Sequence, residues 1–160
     1  MGKLFGTDGI RGIAGQTLTA ELAFHVGQAV AAVLTEEKGS RPLITIGKDT
    51  RISSDMLEAA LTAGLCSVGA DVESLGVVPT PAVAYLVRKY NADAGVVISA
   101  SHNPMEFNGI KIFAGTGYKL PDDVENEIEK HIDNDCADIP LATGASVGRV
   151  SVRADGLQDY

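Results

Sequence analysis

Tryptophan is absent from this chain of 160 residues, aromatic residues make up 5% of it, and it has two cysteines. Cys66 and Cys136 are seventy positions apart, far from the close spacing of a zinc or iron–sulfur cluster. Cys66 lies in an apolar helical stretch and reads as a packing residue. Cys136 falls in an acidic stretch expected to be exposed. No disulfide is expected in a reducing compartment. No apolar run approaches the roughly 20 residues of a membrane-spanning helix. The start, Met1 to Gly6, lacks the hydrophobic region of a signal peptide. The expectation is a soluble, cytoplasmic protein with no membrane partner.

Bases are also few, with 13 Lys and Arg against 21 Asp and Glu and a net charge of −8. No basic face is visible to neutralise a phosphate backbone, so nucleic acid is excluded as a partner. The imbalance is local. Eleven acids meet ten bases through Leu120, whereas ten acids meet three bases from Pro121 onward. The acidic end reads as a solvated helix and tail. Arg11, Lys48, Arg51 and Lys111 stand out as single bases that could converge on one small anion.

A 45% hydrophobic chain of this length is enough for one domain with one core. Four apolar runs read as strands: 43–47, 72–77, 95–99 and 110–113. Helical spacing separates them. Leu22, Val26, Ala29 and Val33 recur behind Thr19, a predicted cap. Leu57, Leu61, Leu65 and Val68 follow Ser53 and Ser54. Val83, Leu86, Val87 and Tyr90 follow Thr80 and Pro81, a cap and a first-turn proline. A fourth helix, about 122–132, opens with acids, where the helix dipole favours them.

Such alternation predicts an α/β fold, a three-layer α/β/α sandwich around a mostly parallel four-stranded sheet. The connection from Ser99 to Ile110 is too short for a helical crossover, so the last strand is expected to be antiparallel. Runs at 10–14 and 147–152 are further strand candidates. Residues 1–160 read as a single domain, with 139–160 an exit segment toward a second one.

The most informative stretch is Ser99 to Pro104, Ser-Ala-Ser-His-Asn-Pro, between the apolar run ending at Ile98 and the returning Asn108, Gly109, Ile110 and Lys111. It sets a serine hydroxyl at the carboxyl end of a buried strand, where ligands of open α/β sheets gather. Taken alone, Ser101 reads as a turn serine bonded to local backbone. A serine hydrolase would need the Gly-x-Ser-x-Gly elbow, and Ala100 and His102 flank Ser101 instead. A free-standing α/β binding module without chemistry is the other alternative.

Four motifs in order tip the balance. These are Phe5 to Gly12 (Phe-Gly-Thr-Asp-Gly-Ile-Arg-Gly), Gly47 to Ser53 (Gly-Lys-Asp-Thr-Arg-Ile-Ser), Gly76 to Pro81 (Gly-Val-Val-Pro-Thr-Pro), and Ser99 to Pro104 with Asn108 to Lys111. Together they resemble domain I, the N-terminal domain, of the α-D-phosphohexomutase superfamily, and the likeness covers nearly the whole chain. The opening loop, Gly117 to Pro121 and the region 63–86 are most similar to its bacterial phosphoglucosamine mutase branch. Phe107 departs from the aspartate usual there, which leaves phosphomannomutase or phosphoglucomutase specificity as an alternative.

The resemblance implies a phosphohexomutase, interconverting glucosamine 6-phosphate and glucosamine 1-phosphate through a hexose 1,6-bisphosphate. It implies that Ser101 is phosphorylated, Lys111 is an acid/base, and Arg11 and His102 serve the catalytic site. Asn103 and Asn108 would bind phosphate or substrate, with Arg51 and Lys48 weaker candidates for the same role. Mg²⁺ would be held by Ser101 through its phosphate and by an Asp-Gly-Asp-x-Asp-Arg loop, which this sequence lacks. Implied partners are a phosphorylated hexose, the remaining domains of a four-domain parent chain and, in some members, a second copy in a homodimer. The expected fate of these residues alone is negligible turnover.

Overall fold

The computed structural model describes residues 4–160; Met1, Gly2 and Lys3, where the signal-peptide reading begins, lie outside the described residues. The strands are β1 (Ile10–Ile13), β2 (Leu43–Lys48), β3 (Asp71–Val77), β4 (Ala94–Ile98), β5 (Phe107–Ala114) and β6 (Val150–Val152). The helices are α1 (Ala20–Lys38), α2 (Ile52–Ser67), α3 (Thr80–Lys89), α4 (Asp122–Asp133) and a final turn, α5 (Gly156–Asp159). Thr19 caps α1, its hydroxyl accepting from the Leu22 amide at 3.0 Å. The third helix starts one residue earlier than its sequence signal, with Thr80 inside it and Pro79 as the cap.

All six strands form one sheet in the order β1-β5-β4-β2-β3-β6. β2 pairs in parallel with β3 and β4, β6 pairs in parallel with β3, and β5 is antiparallel to both β4 and β1. The predicted four-stranded sheet is therefore corrected to six, and β5 alone runs against the rest. Both additions are short edge strands, of four and three residues. They fall within the candidate runs at 10–14 and 147–152; all three residues of β6 are exposed, and pairing with β3 sets its bounds.

Period-two alternation distributes side chains between two layers. Ala94, Val96 and Ile98 of β4 join Ile44, Ile46, Ile110 and Ile112 in the large core under α1, α2 and α4. Val97 and Phe113 face the other way, packing with Leu75, Val83 and Leu86 beneath α3. On the larger face α1 and α2 cross on glycines. A Cβ at Gly64 would stand 2.1 Å from the Phe24 carbonyl and one at Gly27 2.4 Å from that of Leu61.

One sequence reading changes with this packing. Cys136 is buried rather than exposed, because the turn after α4 folds back onto α1; its thiol donates to the His25 carbonyl. Burial, aided by nearby Asp138 and Asp135, pushes that thiol up to about 11. On α4, His131 has its Nδ1 3.2 Å from Asp138.

The chain leaves β2 toward β3 on one side and, after α3, returns to β4 on the other side of β2. That reversal opens a crevice outside the carboxyl ends of β2 and β4, the place where open α/β sheets bind ligands. The Ser99–Pro104 loop hangs over it.

Candidate active site

Ser101 stands with φ at +55°, in the left-handed region that non-glycine residues rarely occupy. Holding it there costs on the order of 1–2 kcal/mol. Its backbone is fixed at both ends. Its N–H donates to the Ser99 hydroxyl at 3.1 Å, and its carbonyl accepts from Arg51 Nη2 at 2.9 Å. The Asn103 amide closes the turn onto the Ala100 carbonyl at 3.1 Å. A hydrogen bond involving a charged group contributes about 1.5–3 kcal/mol, so the charged contact alone offsets the strained dihedral.

The Ser101 side chain is exposed and borders two adjoining hollows. The smaller, about 210 Å³, is lined by Asp8, Arg11, Thr80, Val97, Ser99 and Lys111 together with Ser101. Lys111 comes from β5 on the α3 side of the sheet, where its ammonium lies 5.6 Å from the Phe113 ring centroid. Arg11 comes from β1, opposite Gly109 in the β1–β5 register. Thr80 opens α3, whose positive dipole end favours an anion. Two cations against one carboxylate make this a hollow for an anion carried on, or delivered to, the Ser101 oxygen.

The larger hollow, about 620 Å³, runs along Asp49, Thr50, Arg51, Ile52, Asn103 and Met105. Of the expected residues, Arg11 and Lys111 line the smaller hollow and Asn103 the larger, Ser101 borders both, and His102 is an exposed loop residue beside Ser101.

Arg51 belongs to the loop itself. Its Nε donates to Asp49 at 3.0 Å, Nη1 to the Pro104 and Phe107 carbonyls at 2.7 and 3.1 Å, and Nη2 to the Ser101 and Asn103 carbonyls at 2.9 Å each. A guanidinium has five donors, and all five are engaged. This corrects the expectation that Arg51 binds phosphate. Asn108 is corrected too. It is fully buried, donating to Ser53 and Ser54 and accepting from the Gly109 amide, so no substrate reaches it. Lys48 is taken up by Asp55 and Glu58, both at 2.7 Å; the bond to Asp55, then that to Glu58, raises its pKa.

Asp49 went unassigned in the sequence, yet it organises this corner. Burial works against its charge, but the Arg51 amide, the Ser99 and Ser54 hydroxyls and the Arg51 side chain together hold its carboxyl below the usual 3.8. Its own amide donates to the Ile98 carbonyl, tying the end of β2 to the end of β4. The available signal was an aspartate two places before Arg51, the spacing at which an Asp side chain bonds the backbone two residues on.

Among the described residues no three His, Cys, Asp or Glu side chains are grouped to hold a metal ion. Near Ser101 the charged side chains are mainly cationic, so this donor set does not by itself fit magnesium. Also among the described residues, no helix is long and apolar enough to cross a membrane.

Comparison with known proteins agrees with the fold. The chain is 61% identical to phosphoglucosamine mutase of Clostridium acetobutylicum and 59% identical to that of Ruminiclostridium cellulolyticum. Both matches cover all of this chain and 36% of the relative, so the chain spans about a third of these proteins' length. A solved phosphoglucomutase/phosphomannomutase family protein of Burkholderia thailandensis superposes with a TM-score of 0.79 at 26% identity, over 98% of this chain and 34% of that one. The family model for phosphoglucomutase/phosphomannomutase, alpha/beta/alpha domain I, matches residues 2–137. With so little of the chain outside that match, it belongs to the phosphoglucomutase/phosphomannomutase family as domain I.

Proposed function

We propose that this chain is the phosphoserine-bearing domain of a cytoplasmic phosphoglucosamine mutase, with Ser101 as the phosphoryl carrier. The observation that carries the reading is the left-handed Ser101, presented at the mouth of a hollow that it shares with Arg11 and Lys111. A phosphate on this oxygen carries a charge near −2 and three acceptor oxygens. Arg11 is in place to balance that charge.

In the forward step the Ser101 O–P bond breaks and a new P–O bond forms to a hydroxyl of the sugar monophosphate, giving a 1,6-bisphosphate. The sugar hydroxyl loses its proton to solvent, and Lys111 supplies a proton to the departing Ser101 oxygen. In the return step Lys111 takes the proton as the Ser101 oxygen bonds the phosphorus at the other position of the bisphosphate; the sugar O–P bond there breaks, and the released sugar oxygen takes a proton from solvent. In-line positioning and charge neutralisation, rather than covalent chemistry by the protein, carry such a transfer. The magnesium that the family implies would have the Ser101 phosphate as its ligand from this chain, the remaining ligands coming from chain beyond this sequence.

Both relatives named above are phosphoglucosamine mutases, which supports glucosamine phosphate as the sugar. Phe107, the departure from that branch, opens β5 opposite Ile13 and offers its carbonyl to Arg51, so it does not argue against that sugar. Labelled glucose 1,6-bisphosphate, incubated with the full-length gene product, should transfer one phosphoryl to Ser101 and none to Ser101→Ala, read by peptide mass spectrometry. Labelling elsewhere would overturn the assignment. Turnover should be greatest with glucosamine phosphate; greater turnover of mannose or glucose phosphate would move the protein to another branch.

A further inference from the structure

Arg51 is the most heavily bonded side chain near Ser101. Four of its five contacts are carbonyl oxygens of one loop, those of Ser101, Asn103, Pro104 and Phe107, and the fifth is the Asp49 carboxylate. Asp49 is itself held at the end of β2, its Oδ1 accepting from the Arg51 amide and from the buried Ser54 hydroxyl, each at 3.0 Å. Ser54 in turn accepts from buried Asn108 at 3.1 Å, on the strand to which the loop returns. The loop is thereby referenced to the sheet at both ends.

We propose that Arg51 is a positioning residue: oriented by Asp49, its guanidinium holds the 101–107 loop so that the Ser101 oxygen stands in its left-handed presentation at the Arg11–Lys111 hollow, without contacting substrate. The inference rests on the reading that Ser101 carries the phosphoryl group. A planar fork of five donors suits four divergent carbonyls and one carboxylate; a lysine ammonium, with three donors at one point, does not. Small misplacements of a reacting atom are costly, because effective molarity depends on near-attack geometry.

The test uses the full-length gene product with Arg51→Gln and Arg51→Lys. Both variants should lose about 10²-fold in kcat, the cost of a loop shifted by about 1 Å. KM for the sugar phosphate should stay within about threefold, the signature of an interaction that does not bind ground-state substrate. Amide exchange of residues 101–107 should accelerate about tenfold while β2 and β4 stay protected. Rescue by Arg51→Lys, or a tenfold rise in KM with kcat retained, would return Arg51 to phosphate binding and overturn the proposal. Unchanged kcat and unchanged loop exchange would overturn it as well.

Should both Arg51 variants fail to fold, Ser99→Ala removes the hydroxyl that accepts from the Ser101 amide and bonds the Asp49 carboxylate. It should lower kcat about tenfold at constant KM, the same pattern at smaller size. A wild-type rate there, with unchanged loop exchange, would refute the positioning account. The exchange readout needs no turnover. Loop loosening in Arg51→Gln alongside a Ser101 that takes no phosphoryl would therefore refute the phosphoryl-carrier reading while leaving the clamp standing.

Discussion

The stem of Arg11 lies across Gly109. A Cβ at Gly109 would stand 3.0 Å from Arg11 Cγ and 2.6 Å from the Ser99 carbonyl oxygen. The two residues face each other in the β1–β5 ladder, so the missing side chain at 109 lets an arginine cross the sheet to the Ser101 hollow. Gly109 is thus part of how the candidate site is assembled, although it has no chemistry of its own.

Gly109→Ala should destabilise the fold by about 1–3 kcal/mol, the usual cost of overpacking a filled interior. The nearest atom is backbone, so the relief must come from moving β5 or the Ser99 turn. Urea unfolding measures the loss. The activity of the full-length gene product should drop with it, since Arg11 is pushed off its line.

Lys111 shares its hollow with Ser101 and is assigned the proton at the serine oxygen. Lys111→Met keeps the bulk of the side chain and removes that proton. In the full-length gene product kcat should fall by about 10²–10⁴-fold, the range for loss of a general acid/base. Steady-state kinetics with glucosamine phosphate check this; a rate near wild type would free Lys111 of the role.

Asp49 gives a pH dependence with a definite sign. Its native carboxyl is held below the ordinary 3.8, so its ionised form stabilises the fold at every pH above the unfolded value. That contribution disappears as pH falls through the native value. Asp49→Asn should therefore cost about 1–3 kcal/mol at pH 7, where bonds to a charged group are lost. The gap to wild type should narrow below pH 3.8, as measured by urea midpoints at both pH values.

Burial raises both thiols, that of Cys136 to about 11. At pH 8 a disulfide reagent should label half-buried Cys66 slowly, and Cys136 about tenfold more slowly still, since only the thiolate attacks. Unfolding in urea should expose both. Rapid labelling of native Cys136 would contradict the packing of the turn after α4 against α1.

The 160 residues alone should show no measurable mutase turnover. They bring Ser101 together with Arg11 and Lys111, but among the described residues there is no cluster of three metal-ligating side chains. Purified fragment turning over glucosamine 6-phosphate at an enzymic rate would refute this.

The sequence by itself determined the strong elements. β2 through β5 and α1 through α4 were legible because each carries an apolar period of its own, and Thr19 announces the start of α1 by a side-chain bond that is local in sequence. It also pointed to Ser101, Lys111 and Arg11, whose motifs stand beside strand ends. Only the tertiary structure decided the rest. Pairing with β5 and β3 turned the candidate runs at 10–14 and 147–152 into β1 and β6, Cys136 is buried by a turn folding back, and Asn108 is hidden by serines from α2 more than fifty positions away. The role of Arg51 was the largest change. A lone base at a helix start reads as an anion binder until its five donors are traced to their acceptors, four of them carbonyls fifty or more positions away. Local periodicity fixes which segments become helix or strand, whereas the partner of a charged group is set by what folding brings within about 3 Å of it.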